Sequence, residues 1–316
     1  MKNVFGKLLH GLKDPRWAMN RICEKYYEKY IVSAANTFYG YGGISNRNVG
    51  KRKRDYKISN EWDSYSEKIL SELKASPMGF LRQPMTSTCL HPNMPEAAGK
   101  FFNDLVEDDF CRSQILPRLY DLPIGNPHFS PCFHLASPLT IQHAHHYMLM
   151  KKYLDIFIPE NKITNVVEFG GGYGNFSRLA FSWGYTGNWD IIDIPEMHNL
   201  QEYYLSYAIN EPLRSHIKYQ IVRDESFWNT IKQNSETLFI ATFSLSETPS
   251  EVRNYMEEKL KGFKYIFFAY NGIFGETDCL KYFDELRKKL DDIFTISNFC
   301  NLGQYYMTCT KKDNQY

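Results

Sequence analysis

The chain has 316 residues, in which 37 Lys and Arg nearly balance 36 Asp and Glu. This balance means that no overall positive field favours nucleic acid, so we expect no nucleic-acid partner. An apolar fraction of 43% is enough for a sizeable core, and the length allows two domains, or one large domain with an extension.

The cysteine pattern and the hydropathy indicate the cellular compartment in which we expect the protein. The seven cysteines are odd in number and include no Cys-x-x-Cys pair, which indicates neither a zinc cluster nor a disulfide framework. No apolar run approaches the ~18 residues of a membrane span, and the first residues lack the core of a signal peptide. We therefore expect a soluble, cytoplasmic protein with no transmembrane segment.

Residues 1–136 are patterned as polar helices separated by loops. Helices are predicted over 14–30, 61–75 and 96–105, with loops at 39–43 and 117–131. The basic run 51–54 is typical of a solvated loop, and a contact with phosphate or an anionic membrane is the alternative. We predict a mainly helical N-terminal region that caps the site or binds the substrate.

A helix predicted over 138–158 joins the two halves and carries three histidines, His143, His145 and His146. His143 and His146 have the spacing of a helical metal pair, but no acidic residue follows within two turns to complete a site. We therefore predict no metal. Two interpretations of the histidines stay open: one imidazole faces the substrate, or all of them are solvated or capped.

Residues 137–316 alternate strand-like and helix-like segments, which is typical of a doubly wound α/β sheet. Seven strands are predicted, at 165–169, 188–193, 217–222, 237–243, 265–270, 294–298 and 304–310. Helices are predicted between them at 175–183, 197–208, 249–260 and 277–291. This pattern predicts one α/β domain over residues 137–316.

The first strand runs into a glycine-rich turn with the pattern acidic-x-Gly-x-Gly-x-Gly, formed by Glu168, Gly170, Gly172 and Gly174. Glycines there let the backbone take positive φ and approach a ligand closely. The dinucleotide pattern G-x-G-x-x-G fails, because its third glycine would fall on Asn175 or Ser177. The spacing therefore disfavours a nicotinamide-dependent epimerase or dehydrogenase.

Further acidic residues follow the second and fourth strands. Asp193 ends the second strand, one helix beyond the turn, which suits a carboxylate that binds ribose hydroxyls. Glu247 lies on a hydroxyl-rich turn after the fourth strand, where ligands bind in open α/β sheets. Ser246 or Thr248 could cap the next helix, but a cap does not require Glu247.

These segments resemble motifs of the class I S-adenosylmethionine-dependent methyltransferases. The runs Asp193-Ile194-Pro195-Glu196 and Leu200-Gln201-Glu202-Tyr203-Tyr204 are similar, more narrowly, to the bacterial sugar O-methyltransferase family. The resemblance implies a Rossmann-like, mostly parallel seven-stranded sheet with an antiparallel last strand, S-adenosyl-L-methionine as cofactor, and a sugar or glycan acceptor in surface polysaccharide or glycolipid tailoring. The cofactor-binding residues that it implies are Glu168, Gly170, Gly172, Gly174, Asp193, Ile194, Phe243 and Ser244.

Deprotonating a sugar hydroxyl requires a base, and we predict Glu247 first and His145 second. Glu247 has the better position, on a strand-end turn, whereas histidine has the better intrinsic pKa near neutrality. Two alternatives stay open: methyl transfer to nitrogen, carbon or a non-sugar small molecule, and a catalytically inert methyltransferase-like module that docks other proteins. The oligomeric state also stays open.

Overall fold

The structure is a computed structural model that describes residues 59–160, 162–232 and 236–312. The predicted helix 14–30, the loop 39–43 and the basic run 51–54 lie outside the described residues. Within them, residues 68–145 form one compact unit, and residues 59–67 with 146–312 form a second. The boundary between residues 136 and 137 stays a prediction.

The first unit is built from helices. Two of them, α1 and α4, also contribute residues to the second unit. Proline occupies the first turn of α2 and α3, where its missing N–H is no loss. The helices are α1 (Asn60–Ala75), α2 (Pro84–Cys89), α3 (Pro95–Glu107) and α4 (Pro138–Leu154). The predicted helices at 61–75 and 96–105 are therefore present, and the joining helix ends at Leu154, earlier than predicted.

The second unit contains a seven-stranded mixed sheet, and all seven predicted strands are in it. Its strands in chain order are β1 (Asn165–Phe169), β2 (Asn188–Ile192), β3 (Ile217–Gln220), β4 (Thr237–Thr242), β5 (Tyr265–Tyr270), β8 (Phe294–Asn301) and β9 (Gln304–Lys311). A separate, unpredicted hairpin pairs β6 (Ile273–Phe274) with β7 (Thr277–Asp278).

The strand order in the sheet is β3-β2-β1-β4-β5-β9-β8. The pairs among the first five strands are parallel, whereas β9 runs antiparallel to both β5 and β8. The sheet is thus mixed, with the last strand inserted antiparallel as the resemblance implied. The order reverses between β1 and β4, which places the topological switch point at the centre of the sheet.

Helices connect the parallel strands. They are α5 (Asn175–Ser182), α6 (Pro195–Ala208), α7 (Glu225–Lys232), α8 (Ser250–Leu260) and α9 (Cys279–Leu290). The helix α7 was not predicted, although Asp224 marks its start by accepting the N–H groups of Ser226 and Phe227. Among the described residues, no helix combines the length and the apolar character that crossing a bilayer requires.

The alternation of side chains across β1 determines which residue faces which layer. Val167 and Phe169 join the core formed with α8 and α9, whereas Val166 and Glu168 point to the opposite face. All five residues of β1 are buried, because both faces of the sheet are covered. Glu168 is consequently a carboxylate enclosed under the end of the central strand.

Candidate active site

The carboxyl ends of β1, β2 and β4 meet at the switch point. The Gly170 N–H donates to the Ile192 carbonyl at 2.8 Å, which joins the end of β1 to the end of β2. On the other side, the Ser244 hydroxyl donates to the Phe169 carbonyl and joins β1 to the turn after β4. The turns that follow these strands therefore border one crevice, the position where open α/β sheets bind ligands.

The three glycines of the turn have positive φ, but each is required for a different reason. Gly170 has φ +75°, and a Cβ there would collide with Ser244. A Cβ on Gly174 would lie 2.9 Å from Cγ of Leu205 on α6. At Gly172, with φ +57°, a Cβ would meet no atom within 4 Å. The first and third glycines thus allow close packing, whereas Gly172 borders open space.

Glu168 lies beneath this turn and is only 3% exposed. Its Oε2 accepts the indole N–H of Trp189, on β2, at 2.8 Å. Burial raises the pKa of Glu168 from 4.5 to about 8; the Trp189 hydrogen bond opposes this rise, and the nearby Asp193 adds to it. Burial thus disfavours the ionised form of Glu168 near neutral pH.

Asp193 follows β2 and is tied to the glycine turn through a residue that the sequence analysis gave no role. Its two oxygens accept the Ile194 N–H and the Gln201 side-chain amide, both at 2.8 Å. The same Gln201 nitrogen donates to the Gly172 carbonyl at 3.0 Å. Burial raises the pKa of Asp193 to about 7, although these hydrogen bonds and one from Gly171 oppose the rise.

Gln201 is fully buried on α6, and its Oε1 has no hydrogen-bond partner in the described part of the chain. Because both amide donations run from the nitrogen, the orientation of the amide follows from its partners. The position of Gln201 in the run Leu200-Gln201-Glu202-Tyr203-Tyr204 was a sequence signal for it. Only the fold shows that this run faces the turn.

The turn after β4 is sharp. Phe243 has φ +68°, which is uncommon for a residue with a side chain and is found where the surrounding structure enforces it. Its N–H donates to the Ala269 carbonyl on β5. The predicted capping of α8 is wrong: the Ser246 and Thr248 hydroxyls donate backwards, to the Phe243 and Leu245 carbonyls, and no side chain caps this helix.

Glu247 ends this turn in a half-buried position. Its Oε2 accepts the indole N–H of Trp62, on the first turn of α1, at 2.8 Å. Burial raises the pKa of Glu247 to about 7, and the Trp62 hydrogen bond partly opposes the rise. A carboxylate with this pKa can accept a proton near neutral pH, as a general base must.

The histidines of α4 occupy different surroundings. His145 is fully buried in the first unit, with Nε2 3.1 Å from Asp104 Oδ2 and its ring against Phe101. His146 is buried in the second unit, where its ring lies 6.1 Å from the Phe243 ring and 5.7 Å from the Tyr306 ring. The histidine whose ring lies next to Phe243 is thus His146, and the role predicted for His145 stays a prediction.

No group of three or more His, Cys, Asp or Glu side chains suited to a metal ion occurs among the described residues.

Comparisons with known proteins show similarity to solved structures. The methyltransferase domain of the bacterial CtHen1 matches with 12% identity over 54% of this chain and 97% of its own, at a TM-score of 0.40. An O-methyltransferase family protein from Burkholderia thailandensis matches over 97% of this chain and 98% of its own, with 9% identity and a TM-score of 0.39. The N-terminal domain of human METTL16, in complex with SAH, covers 56% and 72%, with 14% identity and a TM-score of 0.38.

No family model matches the chain, and no curated protein matches it. The identities and TM-scores of the solved structures are low, so the functional assignment rests on the strand order and on the side chains at the strand ends. Those ends bring together Glu168, Gly170, Gly172 and Ser244, and Gln201 attaches Asp193 to them. Sequence reasoning missed Gln201 and Trp62.

Proposed function

We propose that this protein is an S-adenosyl-L-methionine-dependent methyltransferase that methylates a hydroxyl group of a sugar. The observation that supports it best is the pair of carboxylates, Glu168 and Asp193, on either side of a glycine turn at the switch point. Such a pair suits a ligand with a positive charge at one end and a diol at the other. S-adenosylmethionine has both.

The residues of the site fit this cofactor. Gly172 borders open space, so that a ligand can lie directly against the backbone. Asp193 is half-exposed and accepts three hydrogen bonds within the chain, which leaves acceptor capacity for a ribose hydroxyl. The buried Oε1 of Gln201, without a partner in the described residues, is a further acceptor next to the turn.

The bound cofactor supplies an electrophilic methyl group on a sulfonium centre. Asp193 would hold the ribose, and Gln201 ties Asp193 to the glycine turn. A positive charge nearby would favour the ionised form of Glu168, which would release its proton to solvent and stabilise that charge. Glu247 accepts the proton of the acceptor hydroxyl. Orienting two reactants in this way can supply ~7–11 kcal/mol, and a base adds ~10²–10⁴ in rate.

The sugar acceptor is the finer part of the proposal. It rests on the similarity of the Asp193–Glu196 and Leu200–Tyr204 runs to the sugar O-methyltransferases. A transfer assay with labelled cofactor and matched sugar, amine and phenol acceptors tests it, because the cofactor site is common to all three classes. Methylation of an amine alone would assign the enzyme to the nitrogen class.

Calorimetry with Asp193→Ala tests the cofactor site. A charged hydrogen-bonding group lost from a ligand contact costs about 1–3 kcal/mol, so affinity for S-adenosylmethionine should fall roughly ten- to a hundredfold. The control is Asp284→Ala, which removes an exposed carboxylate of α9 that pairs with Lys288. Unchanged affinity in Asp193→Ala would remove this residue from the site. Tight binding of a nicotinamide dinucleotide instead would refute the proposed function.

A further inference from the structure

An aromatic pair at the start of α1 lies next to the predicted base. Trp62 and Tyr65 are one helical turn apart, with ring centroids 6.0 Å apart in an edge-to-face arrangement. Both side chains are half-exposed. The Trp62 indole N–H donates to Glu247 Oε2, a contact that spans 185 positions of the sequence. These three residues belong to the same compact unit as the glycine turn.

The position of Trp62 is set by the local sequence of α1. Ser59 precedes the helix, and its hydroxyl accepts the Trp62 N–H, so that the first turn is capped. Glu61 and Asp63, in the same turn, are both exposed, whereas Trp62 is not. The cap therefore fixes the backbone of the residue whose side chain reaches Glu247.

We propose that Trp62, Tyr65 and Glu247 form the acceptor subsite, and that it binds the ring of a neutral sugar. This inference rests on the proposed function. An indole N–H donates a hydrogen bond but neither ionises nor accepts a proton near neutral pH. Trp62 therefore holds one oxygen of Glu247 without competing for its proton. The other oxygen has no hydrogen-bond partner in the described residues and is available to an acceptor hydroxyl.

The strand order separates this subsite from the ribose end of the cofactor. Asp193 follows β2 and Glu247 follows β4, and these two strands flank β1 on opposite sides. A ligand whose ribose contacts Asp193 and whose charged end lies over the glycine turn thus extends from β2 towards β4. Glu247 and the aromatic pair lie at the far side of this path, where an acceptor must approach.

The chemistry of the subsite favours a sugar over an organic cation. Both ligands can lie against an aromatic face, and a quaternary ammonium also prefers a nearby anion. However, a quaternary ammonium group has no N–H to donate to the remaining oxygen of Glu247, whereas a sugar hydroxyl can donate to it. A pyranose presents an apolar C–H face to an aromatic ring and hydroxyl groups to a carboxyl group, whether that carboxyl group is charged or neutral. This combination suits a site with aromatic side chains and a single polar group.

The test uses the full-length protein, labelled with 5-fluorotryptophan and saturated with S-adenosylhomocysteine. Fluorine NMR should resolve the five tryptophans, and the Trp62 resonance is the one that Trp62→Phe lacks. The probes are the methyl glycosides of glucose, galactose, mannose and rhamnose, with choline and cyclohexanol beside them. At about 50 mM, millimolar affinities are detected.

At least one glycoside should move the Trp62 resonance and leave the others in place. Saturation-transfer NMR on that glycoside should show affinity about tenfold weaker in Trp62→Ala, the size of one lost aromatic contact. The affinity should be unchanged in Tyr153→Ala, which removes an exposed ring that stacks on Phe299. If Trp62→Ala does not fold, the response of the Trp62 resonance in the protein without substitutions still tests the subsite.

Three outcomes would overturn the subsite. The Trp62 resonance could stay fixed with every glycoside, or it could respond to choline and to no sugar. It could also shift when S-adenosylhomocysteine is added and then respond to no glycoside, which would make Trp62 a cofactor contact. Calorimetry with S-adenosylmethionine on the same protein, before S-adenosylhomocysteine is added, keeps the two proposals apart. Loss of cofactor binding there would refute the proposed function, whereas normal cofactor binding with a silent Trp62 would refute the subsite alone.

Discussion

Replacing Glu168 by glutamine should change how the stability of this protein depends on pH. The side chain is 3% exposed and accepts a hydrogen bond from the Trp189 indole, and its pKa is raised from 4.5 to about 8. A glutamine keeps an oxygen that can accept from Trp189 but cannot ionise. The difference between the two proteins therefore isolates the ionisation of this one group.

The sign follows from proton binding. Between pH 4.5 and 8 the native protein keeps a proton on Glu168 that the unfolded chain has lost, so the free energy of unfolding falls as the pH rises. One pKa unit corresponds to about 1.36 kcal/mol. Integrated from pH 5 to pH 8 with these two pKa values, the loss is about 3 kcal/mol. Glu168→Gln should not show it.

Chemical denaturation at several pH values measures this quantity. The stability gained by Glu168→Gln, relative to the unchanged protein, should grow by about 3 kcal/mol from pH 5 to pH 8. Any fixed penalty of the buried amide cancels, because it does not vary with pH. Asp284→Asn is the control, since its pKa is lowered and it titrates below this range. A constant difference between pH 5 and pH 8 would show that Glu168 is ionised throughout, contrary to the argument.

Two further predictions concern the base and the glycines. Glu247→Gln should retain cofactor binding in calorimetry and lower turnover about a hundredfold or more, the low end of a base's usual contribution; a loss below about tenfold with saturating acceptor would make Glu247 structural. Gly170→Ala and Gly172→Ala both place alanine at positive φ, which costs roughly 1–2 kcal/mol, but only Gly170 would also collide with Ser244. Thermal melts should therefore show the larger loss for Gly170→Ala, whereas Gly172→Ala should fold and bind S-adenosylmethionine more weakly. Equal melting temperatures would contradict the packing argument, and unchanged affinity in Gly172→Ala would contradict the cofactor's place.

Local sequence patterns were sufficient to predict the strands. The run at β5 is continuous and apolar because both faces of the sheet are covered, and the bounds of β1 and β5 match the prediction. The short helix α7 was missed, although Asp224 caps it and Trp228, one of its own residues, is buried. Eight residues make only about two helical turns, which is shorter than the window over which helical periodicity can be recognised. The two strands of the β6–β7 hairpin have two residues each, which is too short for an alternating pattern to be recognised.

Only those parts of the candidate site that lie within one continuous segment of the sequence could be predicted. Glu168 and the glycines form one contiguous motif, and Asp193 follows from one strand and one helix. Trp62 reaches Glu247 across most of the chain, and no local pattern predicts a pair at that separation. Gln201 stood in a segment that was noted for its resemblance, but its role depends on α6 facing the glycine turn.

The three acids of the site have pKa values raised to about 7 or 8, and in each the largest cause is burial. The free energy of unfolding falls as Glu168, Asp193 and Glu247 ionise. The stability of the fold therefore does not explain why three acidic residues occupy these positions. A positively charged ligand reverses this effect, since it favours the ionised form and recovers part of the lost energy on binding. Cofactor affinity should therefore increase with pH over the range in which Glu168 titrates. The same burial that weakens the free protein would thus make a sulfonium ligand bind more tightly than an uncharged analogue.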